Sequence, residues 1–284
     1  MADRGILSSL RYLFADVIGD DDAPTPILPE GLPEVVVPVA SDAIAMLIAY
    51  QGPSYAQLYV DRLKRFVGRR GFDDPDFAEV ARLMAARMSY EDPIRIAQLT
   101  LAASETAPVP INEVKKFRID ELVGALPAIV AEPVLDTLEW LGWLRLPVSI
   151  RFSAASRWGI RRLKIEAGLK RWRMFSVRYP KEKAWVERWL HMISRGLDKQ
   201  PSAVPAIVQS AAMIGGYGDP YRQGVADWNA IIDGLVKPTF DGVLALGNLG
   251  DAVTEARAAV LPDPRQAALK RKIAEIRAGV PNPA

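Results

Sequence analysis

Proline follows aspartate or glycine at five points, Gly52-Pro53, Asp74-Pro75, Asp92-Pro93, Asp219-Pro220 and Asp263-Pro264, and each pair reads as a helix start. Aspartate caps free backbone amides, while proline at the first helical position has no amide to leave unpaired. The residues that follow keep helical spacing: Tyr55, Leu58, Tyr59, Leu63, Phe66 and Val67; Phe77, Val80, Ala81, Met84 and Met88; Tyr221, Val225, Trp228, Ile232 and Leu235. Such stripes make amphipathic helices with one buried face. Further helices fit 42–50, 133–141, 181–197, 202–214, 247–260 and 264–278. Strand signals are confined to short alternating pieces at 116–119, 149–152 and 172–177.

The expected fold is therefore mainly α: a helical domain of antiparallel amphipathic helices with at most a small β insert and an extended N-terminal arm. We read residues 1–40 as the arm, 41–236 as the helical domain and 237–284 as a C-terminal helical extension. The arm combines an amphipathic stretch (Ile6, Leu10, Leu13, Phe14, Val17), the acidic run Asp20-Asp21-Asp22 and five prolines, a composition suited to lying along a neighbour. At 284 residues and 50% hydrophobic content the chain can bury a sizeable core. No apolar run approaches the ~20 residues of a spanning helix. The N-terminus does not read as a signal peptide, so the expectation is a cytoplasmic protein with no membrane contact.

With no cysteine, the chain lacks the residues for thiolate nucleophiles, iron–sulfur ligation and cysteine zinc clusters, and its one histidine, His191, cannot easily serve a Ser-His-Asp triad or a metal site of two or more histidines. Glu187 and His191 stand one helical turn apart, and the expected reading is an exposed helix-face interaction, not half a metal site. Glu91 and Asp92 invite an acid–base reading, but Asp92 is accounted for by capping the helix that opens at Pro93, and Glu91 gains from the positive helix end. In that helix Ile94, Ile96, Ala97, Leu99 and Leu101 are expected in the core, with Arg95 and Gln98 as a polar stripe. Gly215-Gly216-Tyr217-Gly218-Asp219 follows a predicted helix, not a strand, and reads as a turn between two helices instead of a phosphate loop. No catalytic, cofactor or metal residue is assigned.

Charge is unevenly spread. The formal net charge is +2, yet residues 151–199 carry +10 and the remainder −8. Within that stretch Arg157, Arg161, Arg162, Lys164, Lys170, Arg171 and Arg173 interleave with Trp158, Trp172 and Phe175. Three readings fit: a solvated face, a dock for an acidic protein partner, or a nucleic-acid surface.

Three ordered segments carry a resemblance. Residues 47–63 (LIAYQGPSYAQLYVDRL) and 87–99 (RMSYEDPIRIAQL), followed by Gly216-Tyr217-Gly218-Asp219 with Arg222, Gly224 and Asn229, resemble the C-terminal helical region of the indolepyruvate ferredoxin oxidoreductase beta subunit. That family usually places a gamma-type Rossmann-like domain before this region, where here only the arm stands. Where family turns carry a basic residue before the glycine and Thr-His after the aspartate, this chain has Gly215 and Pro220-Tyr221.

The resemblance implies a non-catalytic structural subunit of a thiamine-diphosphate-dependent 2-oxoacid oxidoreductase, which converts an aryl pyruvate to acyl-CoA and reduces ferredoxin. It further implies that thiamine diphosphate, magnesium and iron–sulfur clusters sit on partner subunits. Those partners would be a thiamine-binding catalytic chain and a separate gamma-type chain, with ferredoxin as a further candidate. Two alternatives stand beside it: a basic nucleic-acid-binding regulator, and an independent enzyme working through Tyr90, Glu91, Asp92 and Tyr217.

Overall fold

The computed structural model describes residues 24–106, 109, 111–126 and 128–280, and most of the expected arm lies outside them. The chain is mainly α. Its helices are α1 (Val36–Tyr50), α2 (Pro53–Lys64), α3 (Asp74–Met88), α4 (Pro93–Thr106), α5 (Ile119–Gly124), α6 (Ala128–Trp140), α7 (Arg157–Gly168), α8 (Arg178–Lys199), α9 (Val204–Ser210), α10 (Gly218–Ile231), α11 (Lys237–Phe240), α12 (Leu249–Ala258) and α13 (Ala267–Ala278). Strands β1 (Asn112–Arg118) and β2 (Pro147–Ser153) pair antiparallel from Asn112↔Ser153 to Arg118↔Pro147. No helix among the described residues is long and apolar enough to cross a membrane.

Several helix boundaries depart from the sequence reading near prolines. Helix α1 begins at Val36 and runs through Pro38, because a proline in the first turn removes only an amide that would be unpaired anyway. Helix α6 carries Pro133 inside it instead of starting there. Helix α10 opens at Gly218, before Asp219, and α13 opens at Ala267. Asp263 still serves α13, its carboxylate accepting from the amides of Arg265 (2.9 Å) and Ala267 (3.0 Å). The expected strand at 172–177 is replaced by a 3-10 turn, Leu169–Phe175, which directs Arg173 and Met174 inward.

The chain divides into two compact units, and all but the first of their boundaries fall inside helices. One comprises Met1–Ile27, Ala43–Asp61 and Met88–Ala184; the other comprises Leu28–Asp42, Arg62–Arg87 and Trp185–Ala284. In the first, α4 packs on α7 and β2, and Phe117 and Phe152 meet edge-to-face on the buried side of the hairpin, 6.2 Å apart. In the second, Trp185, Trp189 and Trp228 form the centre of the core, with ring separations of 6.1 and 4.8 Å. The Trp189 indole donates to the Ile207 carbonyl (3.1 Å), and the Trp228 indole donates to the Ser210 hydroxyl (2.9 Å). These bonds satisfy polar atoms that burial would otherwise penalise.

Candidate functional site

In the first unit, the two segments that open the resemblance fold against one buried cation. Arg173, 1% exposed, donates from Nε to Asp92 Oδ2 (2.7 Å) and from Nη2 to Asp92 Oδ1 (3.1 Å). Its Nη1 reaches the Tyr50 carbonyl at 2.9 Å, and the guanidinium lies 3.8 Å from the Tyr50 ring centroid. Asp92 also caps α4, accepting from the Arg95 amide at 2.6 Å. Gln98 donates to the carbonyls of Ala49 (3.2 Å) and Tyr50 (3.1 Å), so the end of α1 is tied to α4 from two directions.

Aromatic hydroxyls complete the cluster. Tyr55 donates to the Met88 carbonyl at 2.9 Å and Tyr50 to the Tyr90 carbonyl at 3.3 Å. Burial pushes the Tyr50 and Tyr90 phenols well above their ordinary pKa, which keeps both neutral. Arg178 donates to Glu182 (2.9 Å) and to the Glu91 carbonyl (2.8 Å), with its guanidinium 4.5 Å from the Tyr90 ring centroid. Asp92, Arg173 and Glu182 are all bonded within the protein. That arrangement ties the end of α1 to the start of α4, with both Asp92 oxygens engaged.

In the second unit the glycine turn has a mechanical role. Gly216 and Gly218 adopt φ of +69° and +75°, which side chains disfavour. Arg87, buried between the rings of Trp185 (5.2 Å) and Tyr221 (5.6 Å), donates to the Ile214 carbonyl at 3.1 Å just before the turn. A Cβ at Gly224 would fall 2.4 Å from the Met213 carbonyl oxygen, so α10 approaches that backbone more closely than any other residue permits. Asn229 accepts from Arg188 at 2.7 Å. Glu187 is taken by Arg62 (2.9 Å) and Arg65 (2.6 Å), while His191 is exposed. Tyr217 belongs to this unit, whereas Tyr90, Glu91 and Asp92 belong to the first.

The seven basic positions separate by depth. Arg157, Arg161, Arg162 and Lys164 are exposed on α7, Lys170 and Arg171 are half-buried, and Arg173 leaves the surface entirely for its pair with Asp92. Arg162 pairs with Glu166 at 2.6 Å. Trp158, Arg162, Ile165 and Leu169 follow one another at helical spacing, all exposed.

The sequence reading missed how much apolar surface accompanies these cations. Sixteen of the twenty-one exposed large hydrophobic side chains among the described residues lie between 99 and 175, in the first unit. Tryptophan makes the contrast sharpest: Trp185, Trp189 and Trp228 are buried in the second unit, while Trp140, Trp143, Trp158 and Trp172 are 52–85% exposed in the first. Leu99, expected in the core, is 44% exposed and belongs to this set. Helix α6 buries only Ala131 while exposing Ile129, Val130, Val134 and Trp140, whereas an amphipathic helix normally turns its apolar stripe to a core.

A family model covers residues 36–234, which contain all three resemblance segments. The chain belongs to a family of unknown function (DUF6537). No curated protein and no solved structure matches it. Family membership therefore carries no activity with it, and the functional argument rests on the residues.

Proposed function

We propose that this chain is a non-catalytic accessory subunit of a thiamine-diphosphate-dependent, indolepyruvate-type 2-oxoacid oxidoreductase complex in the cytoplasm. The oxidoreductase part of the reading is supported by the three ordered segments and their resemblance to the beta subunit. The subunit part is carried by one observation, the exposed Trp158 and Trp172, which stand on and just after α7 with its exposed cations. Tryptophan and arginine are the side chains that anchor protein interfaces. The partner that fits this face has apolar pockets and an acidic rim.

Arg62, Asp92, Arg173, Arg178 and Glu182, in or near the resemblance segments, are engaged in ion pairs, and no group of three or more His, Cys, Asp or Glu among the described residues is placed to hold a metal ion. In this proposal thiamine diphosphate, magnesium and the iron–sulfur clusters belong to the catalytic partner, and a gamma-type chain completes the complex. The test is to purify the tagged protein from its native cells and identify the accompanying chains by mass spectrometry. The proposal expects a cysteine-rich thiamine-binding chain and a gamma-type chain. Nucleic acid retained in a steeply salt-dependent way, with no such chains, would support the regulator reading instead.

A further inference from the structure

Trp158, Ile165, Leu169 and Trp172 recur at helical spacing along α7 and the 3-10 turn after it, and all four are exposed. Arg157, Arg161 and Lys164, exposed as well, form the neighbouring row on the same helix. An apolar ridge bordered by cations is a surface that a partner of matching pattern can cover.

The first 23 residues, which precede the described chain, carry that matching pattern. Ile6, Leu10, Leu13, Phe14 and Val17 recur at the spacing of one helical stripe, while Asp3, Asp16, Asp20, Asp21 and Asp22 outnumber Arg4 and Arg11. The segment is therefore acidic where the α7 face is basic, and each has an apolar stripe. A helix of about a dozen residues is marginal in water without a surface to pack on. The described chain starts at Pro24, and residues up to Ile27 belong to the first unit, the unit that contains α7. The stretch from Val17 to Pro24 spans at most about 25 Å when extended, a reach suited to a face of the unit from which it leaves.

We propose that this N-terminal segment is the occupant of the α7 face in the free chain. Residues 6–17 lie as an amphipathic helix along the Trp158, Ile165, Leu169 and Trp172 ridge, and Asp20-Asp21-Asp22 stands by the cation row. The tether gives the segment a high effective concentration at the face, an advantage that a separate chain lacks. A partner that docks on α7 must first displace it. That competition rests on the subunit reading above, whereas the cover itself does not.

The experiment is hydroxyl-radical footprinting of the purified full chain without partners, with oxidation of each tryptophan read by mass spectrometry. Trp158 is expected to oxidise about tenfold more slowly in the parent than in a Leu10→Asp, Phe14→Asp double variant, since each apolar anchor lost from a buried contact shifts such an equilibrium by about that factor or more. An Asp20→Lys, Asp21→Lys, Asp22→Lys variant, which keeps the apolar stripe, should also raise the rate. Trp189, fully buried, should stay protected in all three proteins and so shows that they are folded. Equal oxidation of Trp158 in the three proteins would overturn the proposal, as would protection that vanishes on dilution and therefore comes from a second copy. Neither result bears on the co-purification test of the subunit reading, and failure of that test would leave the cover standing.

Discussion

Arg173 and Asp92, 81 positions apart in sequence, form a two-pronged ion pair in which neither side chain is more than 5% exposed. The pair joins the 3-10 turn after α7 to the first turn of α4. Removing one member leaves a buried charge without its counterion, which typically costs about 3–5 kcal/mol. Arg173→Met and Asp92→Asn are each expected to lose about that much in urea denaturation, and the double variant is expected to lose less than the sum. Additive losses would mean that the two side chains act separately.

Tyr90 gives a prediction of opposite sign. Its hydroxyl is buried with no hydrogen-bond partner among the described residues, while its ring supports the Arg178 guanidinium. Tyr90→Phe keeps the ring and removes the unsatisfied atom, so stability should be unchanged or rise by about 1 kcal/mol. A loss larger than that would show that the hydroxyl matters, and would revive the reading of Tyr90 as a working group.

Glu187 sets an acid limit for the second unit. Burial works to raise its pKa, but the guanidiniums of Arg65 and Arg62 outweigh burial and hold it below the usual carboxylate value. Its contribution is therefore present above the unfolded-state pKa of about 4.3 and is lost as pH falls through the lower folded value. Glu187→Gln should be less stable than the parent at neutral pH, with the difference closing below about pH 4. A difference independent of pH would contradict this account.

At Gly224 two effects compete. Alanine is the better helix former by about 1 kcal/mol, yet its Cβ would stand 2.4 Å from the Met213 carbonyl oxygen, a backbone atom that cannot swing aside. Overpacking of this kind costs about 1–3 kcal/mol and occasionally more. Gly224→Ala should therefore lower the thermal midpoint; a rise would mean that the turn before α10 yields easily.

Much of the helical framework could be read from capping chemistry and apolar spacing, because both act within a few residues. Gly52-Pro53 and Asp92-Pro93 mark α2 and α4 to within a residue. What could not be read depends on distant partners. The alternation at 172–177 resembles a strand, but Arg173 finds Asp92 and the 3-10 turn follows. The pairing of Glu187 with Arg62 and Arg65 spans more than 120 residues. The α7 cations were visible as a charge run. That Trp158 and Trp172 among them stay in solvent was not, since periodicity marks an apolar residue without saying what covers it.

The proposed role is docking through the first unit. The most direct measurement compares the chains recovered from native cells with tagged wild type and with a Trp158→Asp, Ile165→Glu double variant, both substitutions at exposed positions on α7. The account predicts that wild type brings down thiamine-dependent oxidoreductase chains and that the variant, folded normally by circular dichroism, loses them. Recovery of the same chains by both proteins, or of no such chains by wild type, would contradict it.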